Sequence, residues 1–209
     1  MRIRNTTSSA ATATPRWEQR YREALDAAAT TFAEGGYLGV STTDIANRLG
    51  IRQGSLYYYF TSKEAALSAI CELGVESFID ELRTILAAPT HASAKLTAAV
   101  ANHLSPLRSR PGADYVRVFV RHRGELQEGA RQKVSALART YQTLLEKLFS
   151  DGVASGQFRP SLTPKLATLA FLGLCNSVIA GRTLPRGVSI DLIIEEYARM
   201  LIEGVEAQG

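Results

Sequence analysis

Residues 42–63, TTDIANRLGIRQGSLYYYFTSK, carry the pattern that decides the fold. Three apolar residues recur at helical spacing in the first part of this stretch: Ile45, Ala46 and Leu49. Gly50 follows them, at a position where a left-handed C-terminal residue costs least. Leu56 and Phe60 would hold a second helix, residues 55–60, against the first. Two short helices around a tight turn predict a helix–turn–helix, whose second helix enters the major groove of DNA.

At these residues the chain resembles the TetR family of bacterial transcription regulators. The matching segments follow in order: ATTFAE (29–34), GY (36–37), TDIA (43–46), LGI (49–51), LYYYF (56–60) and SKE (62–64). The resemblance implies an all-α fold, with an N-terminal three-helix DNA-binding domain and a C-terminal helical domain for ligand binding and dimerisation. It also implies a homodimer on a double-stranded DNA operator of pseudo-palindromic sequence, which matches the two-fold axis of the protein.

Position within the motif assigns the DNA-contacting residues. The predicted contacts are Thr42, Thr43, Arg52, Gln53, Gly54, Ser55, Tyr57, Tyr59 and Lys63. The two threonines would bind phosphate at a helix N-terminus, whereas Arg52 can read guanine and Gln53 adenine. Tyr58 is predicted to point inward, and Lys63 to meet phosphate. The alternatives are that the threonines only cap a helix, that Arg52 is a solvated turn charge, and that the tyrosines only pack.

Composition bounds the class of protein. The chain has 209 residues, 45% of them apolar, and a net charge of +4. Residues 1–63 hold eight basic and five acidic side chains, so most of the excess charge accompanies the DNA-binding pattern. The start of the chain has no apolar signal region, and the most apolar stretch, 166–180, is too short to span a bilayer. We expect no membrane association and a cytoplasmic location.

Helical periodicity and breaks divide the chain into three parts. Residues 1–15 are rich in Thr, Ser and Ala and are predicted to be a disordered tail, which could place Arg2 and Arg4 in a minor groove or simply be solvated. Residues 16–62 form the helix–turn–helix domain, and residues 63–209 the ligand-binding and dimerisation domain. Helices are predicted over 16–34, 63–87, 93–108, 125–155, 163–182 and 190–205, with 113–123 either helical or irregular.

The last two helices indicate a dimer. Residues 165–180 are apolar on every side, so one side would face the core and the other a partner subunit. The final helix is apolar over more than one stripe. The predicted interface residues are Leu169, Leu172, Ile193, Ile194, Tyr197 and Leu201, in a four-helix packing. The alternative is a fully interior helix in a monomer.

Apolar and aromatic residues in the second part of the chain predict a small-molecule pocket. The candidates are Phe78, Leu82, His103, Leu104, Tyr115, Phe119, Tyr141, Leu144, Phe171, Leu174 and Asn176. The alternative for each of them is plain core. No metal site is expected, because the three histidines give no i,i+4 pair and the two cysteines, Cys71 and Cys175, lie far apart, as buried free thiols would. No cofactor is predicted.

Segments around Gly124, 156–159 and 172–176 resemble TetR-type regulators of fatty-acid and sterol breakdown. This resemblance implies an apolar effector such as an acyl-CoA. Four arginines could bind the CoA phosphates or form a solvated helix face: Arg117, Arg121, Arg123 and Arg131. The predicted function is therefore a repressor that leaves its operator when the effector binds.

Two other classes of protein were weighed. An enzyme is disfavoured because the sequence has no GxSxG, P-loop, GxGxxG or HExxH motif. A helical partner-binding module without DNA recognition is disfavoured because Arg52, Tyr57 and Lys63 are present.

Overall fold

The structure is a computed structural model that describes residues 15–181 and 186–207. Within these ranges the regular elements are α-helices and short 3-10 turns, so the predicted all-α fold is confirmed. The helices are α1 Pro15–Gly35, α2 Thr42–Leu49, α3 Gln53–Leu56, α4 Lys63–Ala87, α5 Ala92–Leu104, α6 Arg110–His122, α7 Glu128–Ala154, α8 Pro164–Ala180 and α9 Ile190–Val205. The tail predicted for residues 1–15 lies outside the described residues except for Pro15, which begins α1.

The first three helices and the start of α4 enclose one apolar core. Phe32 of α1, Ile45 of α2, Leu56 of α3 and Leu67 of α4 are all buried in it. Helix α2 begins with a capping box, in which the Ser41 hydroxyl accepts from one backbone N–H and the carboxylate three residues later accepts from the Ser41 N–H. This local signal marks the start of α2.

The turns around the second short helix depend on local hydrogen bonds. Gly50 adopts the predicted left-handed conformation, with φ 70°. The sequence predicted that this helix would end at Phe60, but α3 ends at Leu56. The reason is that the N–H groups of Tyr59 and Phe60 both bond to the Leu56 carbonyl, at 2.8 and 3.1 Å, which closes a turn. Ser62 then caps α4 by accepting from the Ala65 N–H.

The second core lies between α5, α7, α8, α9 and the distal half of α4. Its largest fully buried side chains include Phe149, Phe158 and Phe171. The Phe158 ring lies directly on Gly152, where an added Cβ would be 2.1 Å from a ring carbon, so α7 needs glycine at that position. The Arg159 N–H donates to the Val205 carbonyl at 2.9 Å, which joins the α7–α8 corner to the end of α9.

Helix α6 connects the two cores. The sequence did not decide whether residues 113–123 are helical or irregular. In the structure they form most of α6. Val118 is buried in the first core and Val116 in the second. Polar contacts join α6 to α1, because the Thr30 hydroxyl donates to the buried Asp114 carboxylate at 2.8 Å. Glu34 of α1 also pairs with Arg110 of α6. Helix α6 is thus packed against the helix–turn–helix domain on one side.

Candidate nucleic-acid interface and ligand cavity

The helix–turn–helix presents one continuous exposed polar surface. Six of the predicted DNA contacts lie exposed on it: Thr43, Arg52, Gln53, Gly54, Ser55 and Tyr57. Thr42 is half-buried, and its Oγ1 accepts a hydrogen bond from Gln53 Nε2 at 3.1 Å. This bond joins the N-terminus of α2, where N–H groups are available to phosphate, to the first residue of α3. The two elements that would meet backbone and bases are therefore held together.

The structure exchanges the expected roles of two tyrosines. Tyr58, predicted to point inward, is 84% exposed, and this prediction is wrong. Tyr59, predicted to contact DNA, is half-buried and packs against the first core. The reason is the turn that follows α3: the Tyr59 N–H bonds to the carbonyl of Leu56, which faces the core, whereas the Tyr58 N–H bonds to the carbonyl of Ser55, which is exposed. The three-residue spacing between Leu56 and Tyr59 can be read from the sequence.

Lys63 is occupied by the protein itself. Its Nζ donates to the backbone carbonyls of Tyr37 and Val40, at 2.9 and 3.0 Å, and lies 4.4 Å from the centre of the Tyr37 ring. Tyr37 in turn donates to Glu64 at 3.0 Å, and burial, followed by that bond, raises the pKa of Tyr37 to about 12. Lys63 thus fixes the α1–α2 connection, and its phosphate contact stays a prediction.

A cavity of about 510 Å³ lies between α4, α5, α6, α7 and α8. This size is within the usual range for small-molecule sites. Six of the predicted pocket residues line it: Phe78, His103, Tyr115, Phe119, Tyr141 and Asn176. Leu82 and Leu104 are fully buried in the core, and Leu144, Phe171 and Leu174 are also absent from the wall. These five residues lie on helices that form the cavity, but they are not part of its lining.

Three polar side chains meet in the cavity wall. His103 Nδ1 lies 2.9 Å from the Tyr141 hydroxyl, and His103 Nε2 lies 3.2 Å from Asn176 Oδ1. Phe78 stacks on the His103 ring and Phe171 meets it edge-on, each with ring centres 5.6 Å apart. Burial lowers the pKa of His103 to about 4, so the imidazole is neutral at physiological pH.

Arginines border the same cavity. Arg123, Arg131 and Arg139 lie on its lining, all exposed to solvent. Arg123 stacks over the Phe119 ring, with its guanidinium carbon 5.0 Å from the ring centre. Of the other arginines proposed for phosphate, Arg117 lies 3.9 Å from the buried Asp114 carboxylate, and Arg121 donates to a backbone carbonyl at the end of α8.

Part of this wall was not predicted from the sequence. Ser135, Arg139 and Gln142 line the cavity from α7, in one row with Arg131, which was predicted as a phosphate contact. They recur every three or four residues, so they form a polar stripe that helical periodicity could have identified. The wall also includes Leu172, which was predicted for the dimer interface.

The predicted dimer residues divide between surface and core. Leu169 is 51% exposed and Tyr197 and Leu201 are half-buried, but Ile193 and Ile194 are buried inside the protomer. The exposed apolar side chains of α8 and α9 are instead Leu166, Leu169, Leu192 and Met200. Ile193 and Ile194 face inward because they belong to the helix face that packs on α5. We call the exposed set the α8–α9 apolar face.

Residues 15–181 and 186–207 show neither a metal-binding cluster nor a membrane-spanning helix. No group of three or more acidic, His or Cys side chains is close enough to hold a metal ion there. None of the helices in that part of the chain is long and apolar enough to cross a membrane.

The exposed helix–turn–helix and the separate cavity define a DNA-binding regulator with an effector domain. Two family models cover these parts: residues 24–70 match the bacterial regulatory proteins of the tetR family, and residues 89–205 match the tetracyclin repressor-like C-terminal domain. Because the second match alone spans more than half of the chain, this protein belongs to the TetR family of transcription regulators.

Three similar proteins illustrate this relationship. The HTH-type transcriptional repressor KstR2 of Rhodococcus jostii is 29% identical over 188 residues, which cover 89% of this chain and 91% of KstR2. The fatty acid metabolism regulator protein of Bacillus subtilis is 25% identical over 160 residues, 77% of this chain and 81% of that protein. The crystal structure of FadR from Bacillus subtilis in complex with stearoyl-CoA superposes with a TM-score of 0.73 at 22% identity, covering 89% of this chain and all of FadR (100%).

Proposed function

We propose that this protein is a transcriptional repressor that leaves its operator when a CoA thioester of an apolar acid binds the cavity. One observation carries the proposal: an apolar, aromatic cavity is bordered by exposed guanidinium groups. Phe78, Phe119 and Leu172 offer apolar surface to an acyl group, whose burial is favourable in proportion to its area. Arg123, Arg131 and Arg139 offer the planar, charged donors that bind phosphate.

The arginines are not equally free to bind phosphate. Arg131 pairs with Glu128 on the same helix, so it would have to exchange this partner. Arg139 makes no ion pair with any described residue, and Arg123 is held only over Phe119. We therefore assign the main phosphate contacts to Arg123 and Arg139. FadR of Bacillus subtilis, which shares this fold and was solved with stearoyl-CoA, supports the same class of ligand.

Helix α6 provides the connection between effector and DNA. Val116 and Phe119 line the cavity, whereas Asp114 and Arg110 of the same helix bond to α1. A ligand that favours a different position of α6 would therefore move α1 and the helix–turn–helix with it. Release requires that the effector bind the DNA-free arrangement more tightly than the DNA-bound one.

For the DNA-binding surface, we propose that Arg52, Gln53, Ser55 and Tyr57 contact bases and phosphates, together with Tyr58. Thr42 and Thr43 would bind phosphate through the N-terminus of α2. We assign residues 16–62 to the DNA-binding domain and residues 63–209 to the effector domain, with α4 contributing to both cores. The protein would act in the cytoplasm without catalysing a reaction.

The dimer that a pseudo-palindromic operator requires would form through the α8–α9 apolar face. Four large apolar side chains exposed on two neighbouring helices are an unfavourable surface for a monomer. A two-fold pairing of these helices would bury them in a four-helix packing. Leu169 remains in this interface from the sequence prediction, and Ile193 and Ile194 leave it.

The effector proposal is tested by fluorescence anisotropy of a duplex from the gene's upstream region. The wild-type protein should bind this duplex with a strong salt dependence, and palmitoyl-CoA should release it. Free CoA and free palmitate should not release it. Free CoA lacks the acyl chain that would fill the apolar cavity, and palmitate lacks the phosphates that would bind the arginines. If no acyl-CoA of short, medium or long chain releases the duplex, the effector class is wrong.

Two matched variants test the role of the arginines. Arg123→Ala combined with Arg139→Ala should leave operator binding intact and weaken the response to palmitoyl-CoA at least tenfold. Arg83→Ala, which removes an exposed guanidinium on α4 outside the cavity, should change neither. Equal effects of the two sets of changes would contradict phosphate binding at the cavity.

Alanine substitutions of Tyr58 and Tyr59 test which of the two tyrosines belongs to the DNA-binding surface. Tyr58→Ala should weaken operator binding while leaving thermal stability unchanged, because its side chain is 84% exposed. Tyr59→Ala should lower thermal stability, because its side chain packs on the first core. If Tyr58→Ala binds the operator as the wild type does, Tyr58 is not a DNA contact.

A further inference from the structure

The cavity wall contains a cluster of polar side chains that stability alone does not explain. His103 and Tyr141 are each 7% exposed, and aromatic rings surround them. Burying polar groups in apolar surroundings is unfavourable unless each one is hydrogen-bonded. An apolar set of similar size would pack there without this requirement. The cluster therefore indicates a polar task at the surface of the cavity.

The hydrogen bonds of the cluster fix the direction of each donor. Asn176 Oδ1 faces His103 Nε2, so Nε2 carries the proton and donates to that oxygen. His103 Nδ1 is then the acceptor, and the Tyr141 hydroxyl donates to it. Both ring nitrogens and the Asn176 oxygen are thus used within the protein.

One group in this cluster is left over. The Asn176 Nδ2 amide carries two N–H donors, and no described residue accepts from them. Asn176 is half-buried and lies on the cavity lining. Turning the Asn176 oxygen toward the cavity would require His103 to carry its proton on Nδ1 instead of Nε2 and Tyr141 to accept instead of donate. In the arrangement of the structure, Asn176 offers a neutral N–H donor at the cavity lining.

We propose that Asn176 Nδ2 donates a hydrogen bond to a carbonyl oxygen of the effector, and that His103 and Tyr141 are positioning residues that hold the Asn176 amide in this orientation. The inference rests on the proposed function, which it makes more specific. The carbonyl can come from the thioester itself or from an oxo group on the acyl chain. In either case the site selects for carbonyl oxygen, because a bound analogue without one would exclude water from the amide N–H and leave it unpaired.

The direct test compares three ligands by isothermal titration calorimetry: octanoyl-CoA, its thioether analogue S-octyl-CoA, and 3-oxooctanoyl-CoA. The wild-type protein should bind octanoyl-CoA about tenfold to a hundredfold more tightly than S-octyl-CoA, as the loss of a partner for a buried donor predicts. If the carbonyl is the oxo group instead, octanoyl-CoA and S-octyl-CoA will bind alike and 3-oxooctanoyl-CoA more tightly.

Variants separate recognition from packing. Asn176→Leu keeps a similar volume and should abolish the preference for the carbonyl ligand while retaining the affinity for S-octyl-CoA. Tyr141→Phe should reduce the preference severalfold, because His103 loses the donor that fixes its tautomer. Ser135→Ala removes another polar group of the wall outside the cluster and should leave the preference unchanged.

The outcomes distinguish this inference from the proposed function. If the wild type binds all three ligands equally, or if Asn176→Leu weakens all three by the same factor, carbonyl recognition is wrong and the CoA thioester class stands. If none of the three ligands binds, and no acyl-CoA releases the operator, both proposals are wrong. Operator binding by each variant serves as the check that the protein has folded.

Discussion

The connection between Asp114 and α1 gives a prediction whose magnitude follows from the structure. Asp114 is 3% exposed, and its carboxylate accepts a hydrogen bond from the Thr30 hydroxyl at 2.8 Å. Arg117 Nη1 and Arg110 Nε lie 3.9 and 4.0 Å from its two oxygens. Asp114→Asn keeps the size and one acceptor, but removes the charge that these three donors share.

The expected cost combines one strong and two weak interactions. A hydrogen bond to a charged acceptor contributes about 1.5–3 kcal/mol, of which a neutral amide oxygen would retain roughly 1 kcal/mol. The two ion pairs add little, because Arg110 and Arg117 keep 68% and 31% of their side-chain surface exposed. We expect Asp114→Asn to lower the free energy of unfolding by about 1 kcal/mol.

Thermal unfolding at a fixed protomer concentration measures this change, because a dimer's stability depends on concentration. For a chain of this size the expected decrease in Tm is about 2–4 °C. Trp17 is the one tryptophan of the sequence and stacks on Tyr21 in α1, so its fluorescence reports unfolding of the first core. Circular dichroism follows the whole chain.

A double-mutant cycle isolates the bond itself. Thr30→Val removes the donor, and the effects of Thr30→Val and Asp114→Asn should be non-additive by about 1 kcal/mol. Asp80→Asn, whose side chain is 75% exposed on α4, should change stability by less than about 0.5 kcal/mol. A shift for Asp114→Asn no larger than that of this control would refute the reasoning. Asp114→Asn should also weaken the response of operator binding to the effector.

Three further predictions concern a glycine in each domain and the buried histidine. Gly54→Ala should fold as well as the wild type, because an added Cβ meets nothing within 4 Å. If the α3 backbone approaches DNA closely, this variant should weaken operator binding in anisotropy. Unchanged affinity would contradict such a close approach. Gly152→Ala places Cβ 2.1 Å from the Phe158 ring and should destabilise the protein by about 1–3 kcal/mol in urea, with Phe158→Leu recovering part of the loss. Because the folded state binds a proton on His103 less readily than the unfolded state, stability should fall as pH decreases from about 6.5 to about 4, and His103→Gln should remove this part of the pH dependence.

The position of the cavity beside both cores explains why one small ligand can act on DNA binding. All five of its wall helices contribute to the second core, and α4, α6 and α7 contribute to the first core as well. The polar contacts of α6 with α1 have few alternatives, because Asp114 is buried and Glu34 also pairs with Arg48 of α2. A displacement of α6 must therefore break these contacts or carry α1 and α2 along with it.

The sequence by itself determined the features that depend on neighbours along the chain. The helix–turn–helix, the Gly50 left-handed end and the bounds of α4 and α9 all follow from residues within one or two helical turns. Even the inward side of Tyr59 follows from its spacing to Leu56, although the prediction assigned that side to Tyr58. Local hydrogen bonds and side-chain periodicity decide such features, and both can be read from the sequence.

Only the tertiary structure decided what the second domain presents to a ligand. His103 and Asn176 are 73 residues apart and meet because α5 and α8 both pack on α7. Thr30 and Asp114 are 84 residues apart. For a helix that is apolar on several sides, the rotation about its axis depends on which neighbour covers each side. Sequence therefore marked α8 and α9 as buried on two sides, and packing alone placed Ile193 and Ile194 inside and left Leu192 and Met200 exposed.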